Sequence, residues 1–169
     1  MEITTQMIKE LREQCGAGIM DCRTALVSTK GDIEKALAIL KEKGLIKAQK
    51  KAERVTMQGV VESYIHTAGR IGALVEVNCE TDFVARTEDF KSLVHDIAMQ
   101  VAALAPKYIC EEDIPEGTEV DPVEACLLSQ PFIKDPTKTI KDIIVETIGK
   151  TGENIKVRRF TRYELSSQE

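Results

Sequence analysis

Apolar residues between positions 73 and 105 change their spacing from every second residue to every third or fourth. In the segment ALVEVNCE (73–80), alternation predicts a half-buried β-strand whose inward residues are Ala73, Val75, Val77 and Cys79. The following segment predicts a long helix, stopped by Pro106, with one apolar face formed by Phe90, Leu93, Val94, Ile97, Ala98, Val101, Leu104 and Ala105. A half-buried strand followed by such a helix indicates an α+β fold.

Two further strands complete the predicted sheet. GVVESYIHT (59–67) precedes the turn at 68–70 and forms a hairpin with the strand at 73–80. The segment 154–165 is the last strand, and its apolar phase switches between Val157 and Phe160, which predicts a bulge or an edge position. We therefore expect a three-stranded antiparallel sheet covered by helices on one face.

The region between the long helix and the last strand is predicted to be mostly loop, with a short helix at 122–129. A second amphipathic helix follows, with Thr139 as its N-cap and Gly149 just past its end. Its buried residues are predicted to be Ile140, Ile143, Ile144 and Ile148.

The N-terminal 44 residues predict three short helices, the last of which begins after a capping Asp32 and ends at Gly44. The basic run KAQKKAER (47–54) then indicates a linker, for which a helical conformation stays open. The predicted domains are a three-helix docking domain at 1–45, a basic linker at 46–55 and an α+β core domain at 56–169. The three-helix unit resembles ubiquitin-associated modules.

The net charge, the cysteine spacing and the lengths of the apolar runs indicate which partners and which cellular compartment to expect. A net charge of −5 argues against nucleic acid as the main partner, because phosphate neutralisation needs a concentrated positive face. Five cysteines at irregular spacing are a poor disulfide framework and favour a reducing compartment. No apolar run reaches the length of a signal peptide or a membrane span. We expect a soluble, cytoplasmic protein without a membrane partner.

The sequence offers no arrangement typical of catalysis or metal binding. His66 and His95 are far apart, and neither Cys-x-x-Cys nor His-x-x-x-His occurs. We therefore predict that the chain is not an enzyme and that it needs no cofactor, nucleotide or metal of its own.

The most informative stretch is EVNCETDFVAR (76–86), which runs from a strand into a helix. Thr81 is suited to cap that helix, and Asp82 in its first turn suits the positive end of the helix dipole. Phe83 then stands at a rigid corner, where it either inserts into a pocket of a partner or packs under the long helix as core. The residues alone leave both interpretations open and favour the core.

Several ordered segments together resemble the elongation factor Ts family. They are VNCETDFVAR, ELREQCGAGIMDCRTAL (10–26), GDIEKALAILKEKG (31–44), KAQKKAER, QPFIKDPTKTIKDII and GENIKVRRFTRYEL. The resemblance covers nearly the whole chain.

The resemblance implies a guanine-nucleotide exchange factor that binds GDP-loaded and nucleotide-free elongation factor Tu. It assigns disturbance of the partner's Mg2+ site to Thr81, Asp82, Phe83 and Val84, and docking to Arg12, Ile19 and Met20. Ile19 stands where Met is also common in the family. This assignment turns Phe83 outward, toward the partner.

Longer family members resemble a duplicated core with an inserted helical hairpin, whereas this chain has one core and a short acidic loop at 106–122. We therefore predict a homodimer, because a second copy would restore the double core.

Two other functions remain open on sequence grounds. One is a protein-interaction adaptor that uses the ubiquitin-associated-like helices. The other is RNA binding through Lys156, Arg158, Arg159 and Arg162, although neighbouring strand residues point to opposite faces and form no single basic stripe.

Overall fold

The computed structural model describes residues 3–165 and begins with three helices. These are α1 (Thr5–Cys15), α2 (Ile19–Ser28) and α3 (Ile33–Lys51). The side chain of Asp32 accepts a hydrogen bond from the backbone N–H of Lys35 and caps α3, as predicted. The helices share a small core of Leu11, Cys22, Ala25, Leu26, Ala36 and Leu40. The prediction of three N-terminal helices is confirmed, while the likeness to ubiquitin-associated modules stays a prediction.

Helix α3 is longer than predicted, because it continues through Gly44 to Lys51. The predicted linker at 46–55 is therefore helical over most of its length. A Cβ built on Gly44 would lie 3.5 Å from Val145 Cγ1, so the helix is packed where the sequence indicated its end. Packing outweighs the cost of about 1 kcal/mol that glycine adds to a helix interior, and the Lys, Ala and Gln residues that follow are good helix formers.

The described chain divides into two units. The first comprises residues 3–54 and 145–154, and the second comprises residues 55–144 and 155–165. The predicted core domain at 56–169 thus differs from the observed unit, since residues 145–154 belong with the N-terminal helices. Within the first unit, Asn154 donates hydrogen bonds from Nδ2 to the carbonyls of Ala52 and Arg54. These long-range bonds were not visible in the local sequence pattern.

The second unit contains a three-stranded antiparallel sheet of β1 (Gln58–Ile65), β2 (Ile71–Cys79) and β5 (Lys156–Glu164), in the order β1-β2-β5. The β1–β2 hairpin, the three strands and the antiparallel pairing are confirmed. A bulge leaves Arg158 without a directly opposite residue, because Glu76 pairs with Arg159 and Val77 pairs with Val157. This bulge explains the predicted phase switch in the last strand.

One face of the sheet is covered by α5 (Glu88–Leu104). Ala73, Val75, Val77 and Cys79 face it and are buried. The helix buries Phe90, Leu93, Val94, Ile97, Ala98 and Val101, as predicted. Leu104 and Ala105 are exposed instead, because Ala105 adopts the left-handed conformation that ends the helix (φ 46°) and the chain turns away before Pro106.

The region predicted as loop contains α6 (Pro122–Ala125), β3 (Pro131–Phe132) and β4 (Asp135–Thr139). The short helix near 122 is confirmed, but the β3–β4 hairpin was missed. Helix α7 (Ile140–Thr151) follows and passes through Gly149, so the predicted end at that glycine is wrong. Thr139 does cap it, since its Oγ1 accepts from the N–H of Asp142 at 3.2 Å.

Candidate functional site

A tight corner joins β2 to α5 in the second unit and consists of residues 81–87, including the one-turn helix α4 (Asp82–Ala85). Thr81 caps α4, because its Oγ1 accepts from the N–H of Val84 at 3.4 Å. Thr87 caps α5 by accepting from the N–H of Phe90 at 3.3 Å, and its hydroxyl donates to the Val84 carbonyl at 2.8 Å. Two threonine caps six residues apart therefore fix the backbone of this 81–87 corner.

Phe83 points out of the corner and is 77% exposed. Its neighbours Val84 and Ala85 are only 4% and 8% exposed, and they anchor α4 to the unit. An aromatic side chain is costly to leave in water, and the buried neighbours prevent Phe83 from turning inward by a rotation of the helix. The interpretation of Phe83 as a core residue is wrong, and the alternative that places it on the surface agrees with the structure.

Asp82 and Arg86 form an ion pair on the same turn, with Arg86 Nη2 2.7 Å from Asp82 Oδ2. Both side chains are exposed. Asp82 occupies the first position of α4, where a negative charge interacts favourably with the N-terminal dipole. The sequence predicted the position of Asp82 in the first turn of the helix, but it did not predict the ion pair with Arg86.

The four residues that the sequence analysis assigned to the corner thus have different environments. Asp82 and Phe83 present their side chains to solvent, and Thr81 uses its hydroxyl as a cap. Val84 packs inside the unit, so in this conformation it supports the corner and offers no contact surface.

A second exposed surface lies on α2 in the first unit. Ile19 and Met20 are 57% and 67% exposed, although both are large and apolar. The opposite side of α2 is buried through Cys22, Ala25 and Leu26. Arg12 on α1 is also exposed. The three residues that were predicted to dock on a partner are therefore accessible, each on the surface of the first unit.

Val27 belongs to the same outward side of α2 and was not singled out from the sequence. It lies seven residues after Met20 and eight after Ile19, which places the three on one helical face, and it is exposed. We call Ile19, Met20 and Val27 the α2 face. The helical spacing of this exposed valine was the signal that could have revealed it.

Three of the cysteines, Cys22, Cys110 and Cys126, are poorly suited to nucleophilic chemistry. Burial raises the pKa of Cys22 to about 11, and burial together with Glu112 and Asp113 raises that of Cys110 to about 12. Burial also raises the pKa of Cys126. The thiolate is the reactive form, so these thiols are almost entirely protonated at neutral pH. All five cysteines are free.

Three of the four basic residues of β5 form ion pairs within the second unit, and the fourth, Lys156, is exposed. Arg158 and Arg159 both contact Glu76, at 3.6 and 2.7 Å. Arg162 pairs with Glu164 at 2.8 Å and donates from Nε to the Ala102 carbonyl. This charge pattern does not favour RNA binding, which needs cations free to contact phosphates.

His66 and His95 are both exposed, and each lies near Tyr64. Across residues 3–165, no group of three or more His, Cys, Asp or Glu side chains is placed to hold a metal ion. In the same range, no helix is long and apolar enough to cross a membrane.

Known proteins resemble this chain along nearly its whole length. The family model described as elongation factor TS matches residues 5–120. A protein named elongation factor Ts from Carboxydothermus hydrogenoformans is 51% identical, with 96% of this chain and 89% of the relative covered. Relatives of the same name from Thermoanaerobacter sp. and Coprothermobacter proteolyticus are 50% and 48% identical. Those two comparisons cover 96% and 98% of this chain, and 94% and 99% of the relatives.

The alignment with the Carboxydothermus relative extends over 193 positions, although this chain has 169 residues. Part of the relative therefore has no counterpart here. The 81–87 corner and the α2 face both fall within the residues that the family model matches.

Proposed function

The chain belongs to the elongation factor Ts family of translation elongation factors, and we propose that it is a guanine-nucleotide exchange factor for elongation factor Tu. It would bind the GDP-loaded partner, disturb the partner's Mg2+ site and promote release of GDP, so that GTP can enter. In this proposal no side chain of the chain performs catalysis, and the factor works in the cytoplasm. The five free cysteines support a reducing compartment.

The exposure of Phe83 on a fixed backbone carries the proposal. An exposed aromatic on a rigid element loses little conformational entropy on binding, and such residues dominate the energy of protein interfaces. The caps at Thr81 and Thr87 and the buried Val84 provide that rigidity. The 81–87 corner is therefore suited to enter a partner's surface as a preformed wedge.

Exchange follows if the wedge binds the emptied partner more tightly than the loaded one. The coupling between the two ligands is reciprocal. The factor lowers the partner's affinity for GDP by the same ratio as GDP lowers the partner's affinity for the factor. Each tenfold loss of GDP affinity needs about 1.4 kcal/mol of differential contact. One interfacial aromatic supplies about 2–4 kcal/mol, enough for a loosening of more than tenfold. Asp82, next to Phe83, would bring its carboxylate toward the Mg2+ site.

The α2 face supplies a second contact in this proposal. Ile19, Met20 and Val27 form an exposed apolar strip, and Arg12 on α1 adds a charge. Apolar residues on one helix face are typical of helix-mediated docking. We propose that this surface holds the factor on its partner while the 81–87 corner acts on the nucleotide site.

A second copy of the chain is the proposed occupant of the outer sheet face, opposite α5. This face combines the exposed apolar side chains of Val61, Ile65, Leu74 and Tyr163 with the ion pair between Glu76 and Arg159. An exposed apolar patch of this kind marks an interaction surface. Because it offers both signs of charge near its centre, it can pair with itself across a two-fold axis.

The direct test is release of fluorescent GDP from purified elongation factor Tu. We expect substoichiometric amounts of this chain to accelerate release and to turn over many partner molecules. Release that is no faster than the spontaneous rate would overturn the proposal. If the chain instead bound RNA, and the affinity of that complex fell steeply with added salt, RNA binding would be favoured over exchange.

A further inference from the structure

The ion pair between Asp82 and Arg86 spans the turn that displays Phe83. Arg86 follows the last residue of α4, and its backbone N–H donates to the Phe83 carbonyl at 3.3 Å. Its guanidinium reaches back to Asp82 Oδ2 at 2.7 Å. Both ends of the pair are attached to backbone that the threonine caps hold in place. The carboxylate is thus oriented by a residue on the same turn.

Only one oxygen of the Asp82 carboxylate is used in this pair. The other, Oδ1, accepts no hydrogen bond from any residue in the range 3–165. Arg86 therefore restricts the rotamer of Asp82 while it leaves an acceptor open to a ligand. A paired carboxylate also loses less solvation free energy on entering an interface than an isolated one, because its charge is already compensated.

No other basic residue close in sequence can take the place of Arg86 as the partner of Asp82. Arg86 is the only basic residue between positions 76 and 90, a stretch that contains five carboxylates. Without it, the Asp82 carboxylate would carry an uncompensated negative charge next to Phe83. A surface of that charge would be repelled by the phosphates of a bound nucleotide.

We propose that Arg86 is a positioning residue of the exchange site, which orients the Asp82 carboxylate and compensates its charge as the 81–87 corner approaches the partner's metal–phosphate centre. This inference rests on the proposed exchange function and deepens it. Arg86 acts through Asp82, so removing Arg86 matters only when Asp82 is present.

The test is a double-mutant cycle of Arg86→Met and Asp82→Asn, read as GDP release from elongation factor Tu over a range of Mg2+ concentrations. We expect Arg86→Met to slow stimulated release by roughly three- to tenfold and to change its Mg2+ dependence. In the Asp82→Asn background the same change should have no further effect. Arg86→Lys should restore part of the rate, since lysine can form the same pair without the planar fork of arginine.

Stability measurements separate positioning from folding. The pair is exposed, so Arg86→Met should shift the melting temperature by no more than about 2 °C. The inference would be overturned if Arg86→Met stimulated GDP release at the wild-type rate. It would also be overturned if Arg86→Met slowed release by the same factor in the wild-type chain and in the Asp82→Asn variant. Failure of the wild-type chain itself to release GDP would instead overturn the exchange function.

Discussion

Phe83 and Val84 are consecutive residues of α4, yet Phe83 is exposed and Val84 is buried. Consecutive residues of an α-helix point about 100° apart around the helix axis, so anchoring one side chain directs the other outward. The backbone N–H of Val84 is bound by the Thr81 hydroxyl and its carbonyl by the Thr87 hydroxyl. The residue that holds the corner and the residue that would act on a partner are therefore distinct.

The α2 face should contribute affinity for the partner. Val27→Asp places a charge in the exposed apolar strip without touching the core formed by Cys22, Ala25 and Leu26. We expect the dissociation constant for nucleotide-free elongation factor Tu to rise about tenfold or more, as measured by calorimetry. Val123→Asp, a change of another exposed valine on α6, is the matched control and should bind normally. Equal affinities for the two variants would exclude Val27 from the docking surface.

A homodimer through the outer sheet face should depend on Leu74. Leu74→Asp introduces a charge next to the Glu76–Arg159 pair, so the dimer should dissociate while the inward side of β2 remains unchanged. Sedimentation at micromolar concentration should show twice the chain mass for the wild type and the chain mass for the variant. A wild-type chain that sediments as a monomer would remove the basis for this interface.

The stability of the second unit should depend on the buried pair of glutamines, Gln100 and Gln130. Gln100 Nε2 donates to Gln130 Oε1 and to the Pro131 carbonyl, and its Oε1 accepts from the N–H of Ile133. Gln100→Ala leaves these buried groups without partners and should lower the free energy of unfolding by about 2–3 kcal/mol in urea titrations. The exposed Gln6→Ala should have no measurable effect. Equal stability of both variants would show that water replaces the lost bonds.

Acid should weaken the sheet through Glu76. The hydrogen bond from Arg159 lowers the pKa of Glu76 below its ordinary value of 4.5, with a smaller contribution from Asn78. A carboxyl whose pKa is lower in the folded state stabilises the fold above its ordinary pKa and loses this effect as the pH falls through the lowered value. Melting temperatures between about pH 6 and 3 should therefore fall less steeply for Glu76→Gln than for the wild type. Parallel curves would show that Glu76 makes no such contribution.

The elements with strong periodicity could be predicted from sequence, whereas those that depend on distant contacts could not. Val75 and Val77 on β2, and Phe90 and Ile97 on α5, lie where their spacing indicated. Gly44 and Gly149 were predicted to end helices, but both lie within helices. At Gly44 the helix packs beside Val145, a tertiary contact that local propensity does not include.

In the candidate site too, some features could be predicted from the local sequence and others depend on tertiary packing. The cap at Thr81 follows from residue type and position. The outward direction of Phe83 came only from the family resemblance, since aromatic residues are usually buried. The burial of Val84 and the pairing of Arg86 with Asp82 depend on how α4 is oriented on the unit, and one sequence does not reveal that orientation.

The central claim is tested most directly by comparing Phe83→Ala with Val84→Ala in the GDP-release assay. Phe83→Ala removes an exposed side chain, so it should melt like the wild type and slow stimulated release by at least about tenfold. Val84→Ala should lower the free energy of unfolding by about 2 kcal/mol and, at a temperature where it is folded, retain far more activity than Phe83→Ala. A Phe83→Ala chain that is fully folded and releases GDP at the wild-type rate would contradict the account.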